Sequence, residues 1–269
     1  MVSAYWEYMT RQKLNQELPT PFEMVPDFFL HTAGVSLFFM VVMYLIPIVM
    51  EKYYPNWYNT LNDRKKEELP AYLSSMIHHI SVVPLAWHVI SNDFTNPEFC
   101  TTPQMVIFMR FACPLCVGFV VADTFFYAIP LGLRGNFEYI IHHALAIWMT
   151  VALLGGSGHL IRYFPHIIIC DTTNAVFNFA WFLRLTGFKD TALVTSMEMS
   201  FAVLFLLLRG INLSVVFGIM FFSEDNAGFG VGRWAFPLIS LLQFWWLLKI
   251  AQAMVKKLLP QKVKLTKQE

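Results

Sequence analysis

Residues 28–50 read FFLHTAGVSLFFMVVMYLIPIVM, twenty-three consecutive positions without an Asp, Glu, Lys or Arg. A bilayer core takes roughly 20 predominantly apolar residues of helix, so this stretch is long enough to span one. Working outward, six further segments follow the same pattern: approximately 71–90, 105–130, 139–154, 161–183, 192–222 and 234–255. The fourth is short, and the sixth is long enough to tilt or overhang. Of the 269 residues, 57% are apolar and only 14% charged. Soluble domains carry roughly 25% charge, so there is too little polar surface here to coat a globule in water. The expected fold is all-α, a multi-pass transmembrane helical bundle of about seven spans.

The chain divides into four parts. Residues 1–27 form a tail; its mixture of aromatics with Glu7, Arg11, Lys13 and Glu17 is unlike a cleavable signal peptide. Residues 28–69 hold the first span and a basic loop, 70–255 the remaining bundle, and 256–269 a basic tail. Alternating the spans puts Arg11, Lys13, Arg162 and Arg233 on one side. The other side receives Lys52, Arg64, Lys65, Lys66, Arg134, Arg184, Lys189, Lys256, Lys257, Lys262, Lys264 and Lys267. The positive-inside rule then makes the second side cytoplasmic and places the amino terminus in the lumen or exterior. Tyr53, Tyr54, Trp57, Trp234, Trp245 and Trp246 suit interfacial belts or packing. A net charge of +1 gives no basis for nucleic-acid binding. Cys113 and Cys116 form a CxxC inside an apolar run, where packing is the expected role.

Ionisable groups within a bilayer cost several kcal/mol unless they face protein or water, so they are the informative residues. His78 and His79 lie in the second segment, Asp123 late in the third, and His142 and His143 early in the fourth, after Glu138. Asp171, Asn174 and Asn178 share one face of the fifth through their i, i+3, i+7 spacing. Glu198 and Arg209 are eleven positions apart in the sixth, about three turns, and are expected on a common face. Adjacent His142 and His143 point about 100° apart, so one faces a substrate while the other orients it or bonds a neighbouring helix. Several helices thus offer polar groups at similar depth, which points to a cavity opening toward the cytosol; the alternative is interhelical hydrogen bonding alone. His31, His88 and His159 lie near segment ends, and His166 suits local packing. No HEXXH or spaced histidine cluster is present, so no metal and no resident cofactor is expected.

Four local patterns then resemble the TLC-domain membrane proteins, the group that includes ceramide synthases and smaller lipid-related members. They are Ser75-Met-Ile-His78, the pair His142-His143 after an acidic and aromatic stretch, Asp171-Thr-Thr-Asn-Ala-Val-Phe-Asn178-Phe-Ala-Trp181, and Phe205-Leu-Leu-Leu-Arg209. The resemblance covers approximately residues 70–220. Cys170 precedes Asp171, and Asn174 stands where the second aspartate of ceramide synthases would be. The chain therefore resembles the small TLC-domain proteins more than standard ceramide synthases.

The resemblance implies a protein of the endoplasmic reticulum acting in membrane lipid homeostasis by binding or regulating lipids, with membrane lipids as partners. The alternative is an acyl-CoA-dependent lipid N-acyltransferase, with fatty acyl-CoA as co-substrate and a lipid amine as acceptor. In that chemistry His142 or His143 acts as base or nucleophile, with Asp171 orienting the imidazole. His78, Asp123, Asn174, Asn178, Glu198 and Arg209 are the candidate substrate-binding residues, Arg209 by stabilising developing negative charge. Proton-coupled transport would also suit buried charge, but no internal symmetry supports it.

Overall fold

A computed structural model describes residues 25, 27–93, 102–154, 162–189, 191–222 and 234–258. The two tails lie largely outside them, as do His159, Arg233 and the basic residues Lys262, Lys264 and Lys267. Seven long helices are present among the described residues, and no strand. They are α1, Phe28–Tyr53; α2, Asp63–Asp93; α3, Pro103–Leu133; α4, Phe137–Leu154; α5, residues 164–185; α6, Ala192–Phe222; and α7, Ala235–Leu258. α1, α2, α3, α6 and α7 are each long and apolar enough to cross a membrane, judged by length and composition.

Each helix follows one of the apolar segments, and the ends differ for local reasons. α2 starts earlier than the apolar run, because Asp63-Arg-Lys-Lys-Glu-Glu-Leu is a good helix-forming stretch with an acidic first residue at the positive end of the helix dipole. Thr102 caps α3 by accepting from the Met105 N–H, and Pro103 takes the first position, where its missing N–H costs nothing. Thr191 caps α6 in the same way through the Val194 N–H. α3 and α4 are joined by a short turn in which Gly135 has φ 103, a left-handed conformation that glycine adopts without a steric penalty.

Three helices change pitch. α3 passes through a π segment at Thr124–Ala128, directly after Asp123. α6 does so over Phe205–Asn212. α5 begins as Phe164–Ile168, tightens to a 3-10 turn at Ile169–Asp171 and continues as Thr172–Leu185. All three breaks contain or adjoin a polar candidate residue, consistent with the tendency of such irregularities to occur at functional sites.

The helices α2, α5, α6, α7, α4 and α3 contact one another in that cyclic order and close a six-membered ring. α1 lies outside the ring, against α2 and α3. Its close approach to α3 depends on Gly118, where an added Cβ would lie 2.6 Å from Val35 Cγ1 and 2.9 Å from the Thr32 carbonyl oxygen. Small residues let membrane helices approach closely enough for dispersion contacts to hold them, which is the driving force available where lipid is as apolar as the side chains. Large apolar side chains such as Phe29, Leu30, Leu37 and Phe38 remain on the outside of α1, as a lipid-facing helix requires.

Candidate functional site

A cavity of about 360 Å³ lies among the ring helices, a size typical of small-molecule sites, which run roughly from 300 to 1,000 Å³. Of the nine candidate residues, His142, His143, Asp171, His78, Asp123, Asn174, Asn178 and Arg209 all line it. His79, Ser75, Tyr72, Tyr127, Tyr139, Trp246 and Lys249 complete the polar and aromatic part of the wall. On α4 the lining begins at Tyr139, close to the end of the bundle that carries Arg134. On α5 it reaches Asp171, fourteen residues from Leu185, or about 21 Å along the axis. The cavity therefore runs from the basic end of the bundle to about mid-depth.

Glu198 does not line it. Its carboxylate pairs with Arg184 of α5. Arg209 pairs with Asp171, so both side chains of α6 meet the same neighbouring helix, α5, but only Arg209 lines the cavity.

Arg209 is buried and donates to four acceptors. Nη2 reaches Asp171 Oδ1 at 3.2 Å, Nε reaches Thr173 Oγ1 at 2.8 Å and the Cys170 carbonyl at 3.3 Å, and Nη1 reaches Gln243 Oε1 at 3.3 Å. Asp171 Oδ1 also accepts from Asn174 Nδ2 at 3.1 Å. This arrangement ties α5, α6 and α7 together and compensates a charge that would be costly alone in a membrane interior. Below it, Asn178 Nδ2 donates to Ser75 Oγ at 2.8 Å, linking α5 to α2. Further along α5, His166 and Asn212 bond reciprocally, so His166 has a structural role outside the cavity.

The expected orientation of the double histidine by Asp171 is not what the geometry gives. Asp123 takes that position: its Oδ2 lies 2.8 Å from His143 Nε2, while His143 Nδ1 lies 2.9 Å from the Tyr139 carbonyl oxygen. A neutral imidazole has a single N–H. Facing a carbonyl and a carboxylate, the His143–Asp123 pair satisfies both contacts only with one proton more than a neutral ring and an ionised carboxylate hold. Both nitrogens of His143 are therefore occupied. Its neighbour His142 packs edge-on against Trp246 at 5.0 Å, and its buried Nδ1 has no hydrogen-bond partner. Of the adjacent pair, His142 is the one with a buried ring nitrogen that lacks a hydrogen-bond partner.

On α2, His78 stacks on Phe119 with ring centroids 4.4 Å apart, and neither of its ring nitrogens has a partner. A buried polar group without a partner costs about 1–3 kcal/mol, which makes His78 and His142 the two expensive residues of the cavity wall. His79 Nδ1 lies 3.4 Å from Ser75 Oγ, and its Nε2 lies 3.9 Å from Asp171 Oδ2. One donor atom from each of His78, His79 and Asp171 falls within 4.8 Å of the other two, so these three side chains could hold a metal ion. Toward the basic end, aromatic rings continue around the wall: Tyr72 stacks on Trp181 at 4.1 Å, and Tyr72, Tyr127, Tyr139 and Trp246 follow at successive separations of 6.2, 5.9 and 6.2 Å. Lys249 Nζ reaches Glu138 Oε1 at 2.9 Å and joins α7 to α4 beside them.

Several residues at the site escape the candidate list drawn from sequence. Lys249, which lines the cavity, and Gln243, which accepts from Arg209, are polar residues inside an apolar segment, the same signal that singled out Asp171, and could have been found by it. His79 was visible as an intramembrane histidine. The tyrosines carry no such signal, because they are ordinary in membrane helices.

Comparison with known proteins agrees with the residues that line the cavity. No curated protein sequence matches the chain. The family model described as the TLC domain matches residues 70–252, which takes in nearly all of the six-helix ring and leaves α1 outside. That match spans well over half of the chain: this protein belongs to the TLC-domain family, and is a membrane protein of lipid metabolism or homeostasis.

Proposed function

We propose that the ring cavity binds a membrane lipid, with the polar head or carbonyl of the lipid against His142, Asn174 and Arg209 and its chain along the apolar wall of Phe119, Phe177, Phe201 and Phe205. The observation that carries this reading is the set of buried ring nitrogens without partners, both of His78 and Nδ1 of His142, in the cavity wall. A hydroxyl or amide of a bound lipid would supply the missing contacts and recover the cost of leaving them unmade. The seven helices cross the endoplasmic reticulum membrane with the basic end of the bundle in the cytosol, and the cavity opens on that side. Lipid extracted from purified, monodisperse protein should be enriched in one class over the surrounding detergent or nanodisc lipid. His142→Phe should reduce that enrichment; an unselective lipid profile from folded protein would count against the reading.

A second reading is supported by the state of the double histidine. His142 has an unpartnered ring nitrogen in the cavity wall, and the neighbouring His143 is hydrogen-bonded to Asp123 and to the Tyr139 carbonyl. A base of this kind beside a histidine–carboxylate pair is suited to acyl transfer from fatty acyl-CoA to a lipid amine. His142 would accept the amine proton or carry the acyl group, the thioester C–S bond would break with coenzyme A leaving as the thiol after taking up that proton, and Arg209 would oppose developing oxyanion charge. Incubation with acyl-CoA and a panel of long-chain amines, followed by mass spectrometry, tests it. Product that disappears in His142→Ala supports transfer. Absence of product from lipid-loaded, folded protein leaves binding as the function.

A further inference from the structure

We propose that His78, His79 and Asp171 form a divalent transition-metal site, most suited to zinc, at the deep end of the cavity. The proposal is independent of which lipid the cavity takes. The sequence offers only a bare pair of histidines; the fold supplies the third donor by bringing α5 against α2.

Each of the three side chains has one donor atom directed to the same place and its other polar atom accounted for or free. Asp171 Oδ1 is engaged by Arg209 and Asn174, which leaves Oδ2 facing His79. His79 Nδ1 faces Ser75 Oγ, which leaves Nε2 facing Asp171. That separation, 3.9 Å, is too long for a hydrogen bond and a few tenths of an ångström wider than the roughly 3.4 Å between two donors of one tetrahedral zinc. His78 is 2% exposed and both its ring nitrogens lack partners, so either can face the ion without breaking a hydrogen bond. The three donor atoms lie within 4.8 Å of one another. Bond lengths of about 2.0–2.2 Å to zinc then require closure by roughly an ångström, which side-chain rotation provides.

The surroundings have the character of an outer ligand shell. Ser75 orients His79 and is itself held by Asn178, while Arg209 and Asn174 fix the carboxylate. Partners of this kind set the tautomer and direction of ligating groups. Two imidazoles and one carboxylate make a mixed nitrogen and oxygen set of three, the ligand number of a zinc site that keeps a position open. All three residues line the cavity, so the open position faces it. Because Arg209 already compensates Asp171, the bound ion adds positive charge, and an oxygen ligand with anionic character is favoured there.

The test uses the full, untagged chain in detergent or nanodiscs, equilibrated with zinc and passed through a desalting column. Elemental analysis should find about one zinc per chain in the wild type and less than about a tenth in His78→Ala and His79→Ala, each shown to be folded by helicity and a single elution peak. His142→Ala, in the same cavity but outside the ligand set, should retain it. Ser75→Ala should weaken binding by about 10–100-fold. Cobalt(II) substitution gives a second readout through its visible ligand-field bands, which should be lost in the two histidine variants. Folded wild-type protein that binds no zinc or cobalt would overturn the site. So would zinc retained at full stoichiometry in both His78→Ala and His79→Ala. Lipid measured on the same samples separates this result from lipid binding.

Discussion

Replacing Arg209 by methionine should be among the most damaging single changes in the bundle. Its guanidinium is 6% exposed and the Asp171 carboxylate 23%. The substitution leaves acceptors on Asp171, Thr173, Cys170 and Gln243 without their donor. Removing one partner of a buried ion pair costs about 3–5 kcal/mol. Asp171 keeps its bond from Asn174 and one side toward the polar cavity, which places the loss at the lower end, about 3 kcal/mol. Arg209→Lys keeps the charge but cannot satisfy four acceptors from one ammonium, and should fall between. Equilibrium unfolding in mixed micelles measures the loss. Asp171→Asn in the Arg209→Met background should recover part of it, with a coupling of about 1–3 kcal/mol in the double-mutant cycle. An Arg209→Met protein within about 0.5 kcal/mol of wild type, the range of ordinary surface changes, would refute the role assigned to this side chain.

Other positions give separate tests. Asp123→Asn should be tolerated to within about 1 kcal/mol, because its amide can donate to His143 Nε2 while Nδ1–H bonds the Tyr139 carbonyl; Asp123→Leu leaves that nitrogen unsatisfied and should cost about 1–3 kcal/mol more in the same unfolding assay. Gly118→Ala should cost about 1–3 kcal/mol, as its methyl meets the Thr32 carbonyl at 2.9 Å and α1 must move away from α3; a crosslink between cysteines placed on α1 and α3 would report the displacement. Glu198→Ala should leave lipid occupancy at the wild-type level by mass spectrometry, because Glu198 pairs with Arg184 and does not line the cavity.

The helices were legible in the sequence because a membrane span is encoded by length and apolarity alone. Each of the seven segments became a helix; three that carry polar candidates, α3, α5 and α6, are irregular, whereas α4, which carries His142 and His143, is regular. The i, i+3, i+7 pattern of Asp171, Asn174 and Asn178 predicted their shared face, since α5 is regular α-helix after Asp171. Glu198 and Arg209 both meet α5, and their spacing alone does not say that only Arg209 lines the cavity. Pairing between helices was also hidden. Nothing in the spacing of Asp123 and His143, twenty positions apart across a turn, says that they meet, or that Asp171 faces His79, although Asp171 and Glu198 were both open as partners of Arg209. Those partners follow from the cyclic order of the helices, which is a property of packing rather than of any one segment.

The most direct test of the cavity as a lipid site is a high-resolution structure of the protein in lipid nanodiscs. Continuous density for an acyl chain inside the ring, ending in a polar group within hydrogen-bond reach of His142, Asn174 or Arg209, is the expected result. A cavity holding only water, or closed by side chains while lipid lies solely on the outer face of the bundle, would contradict it.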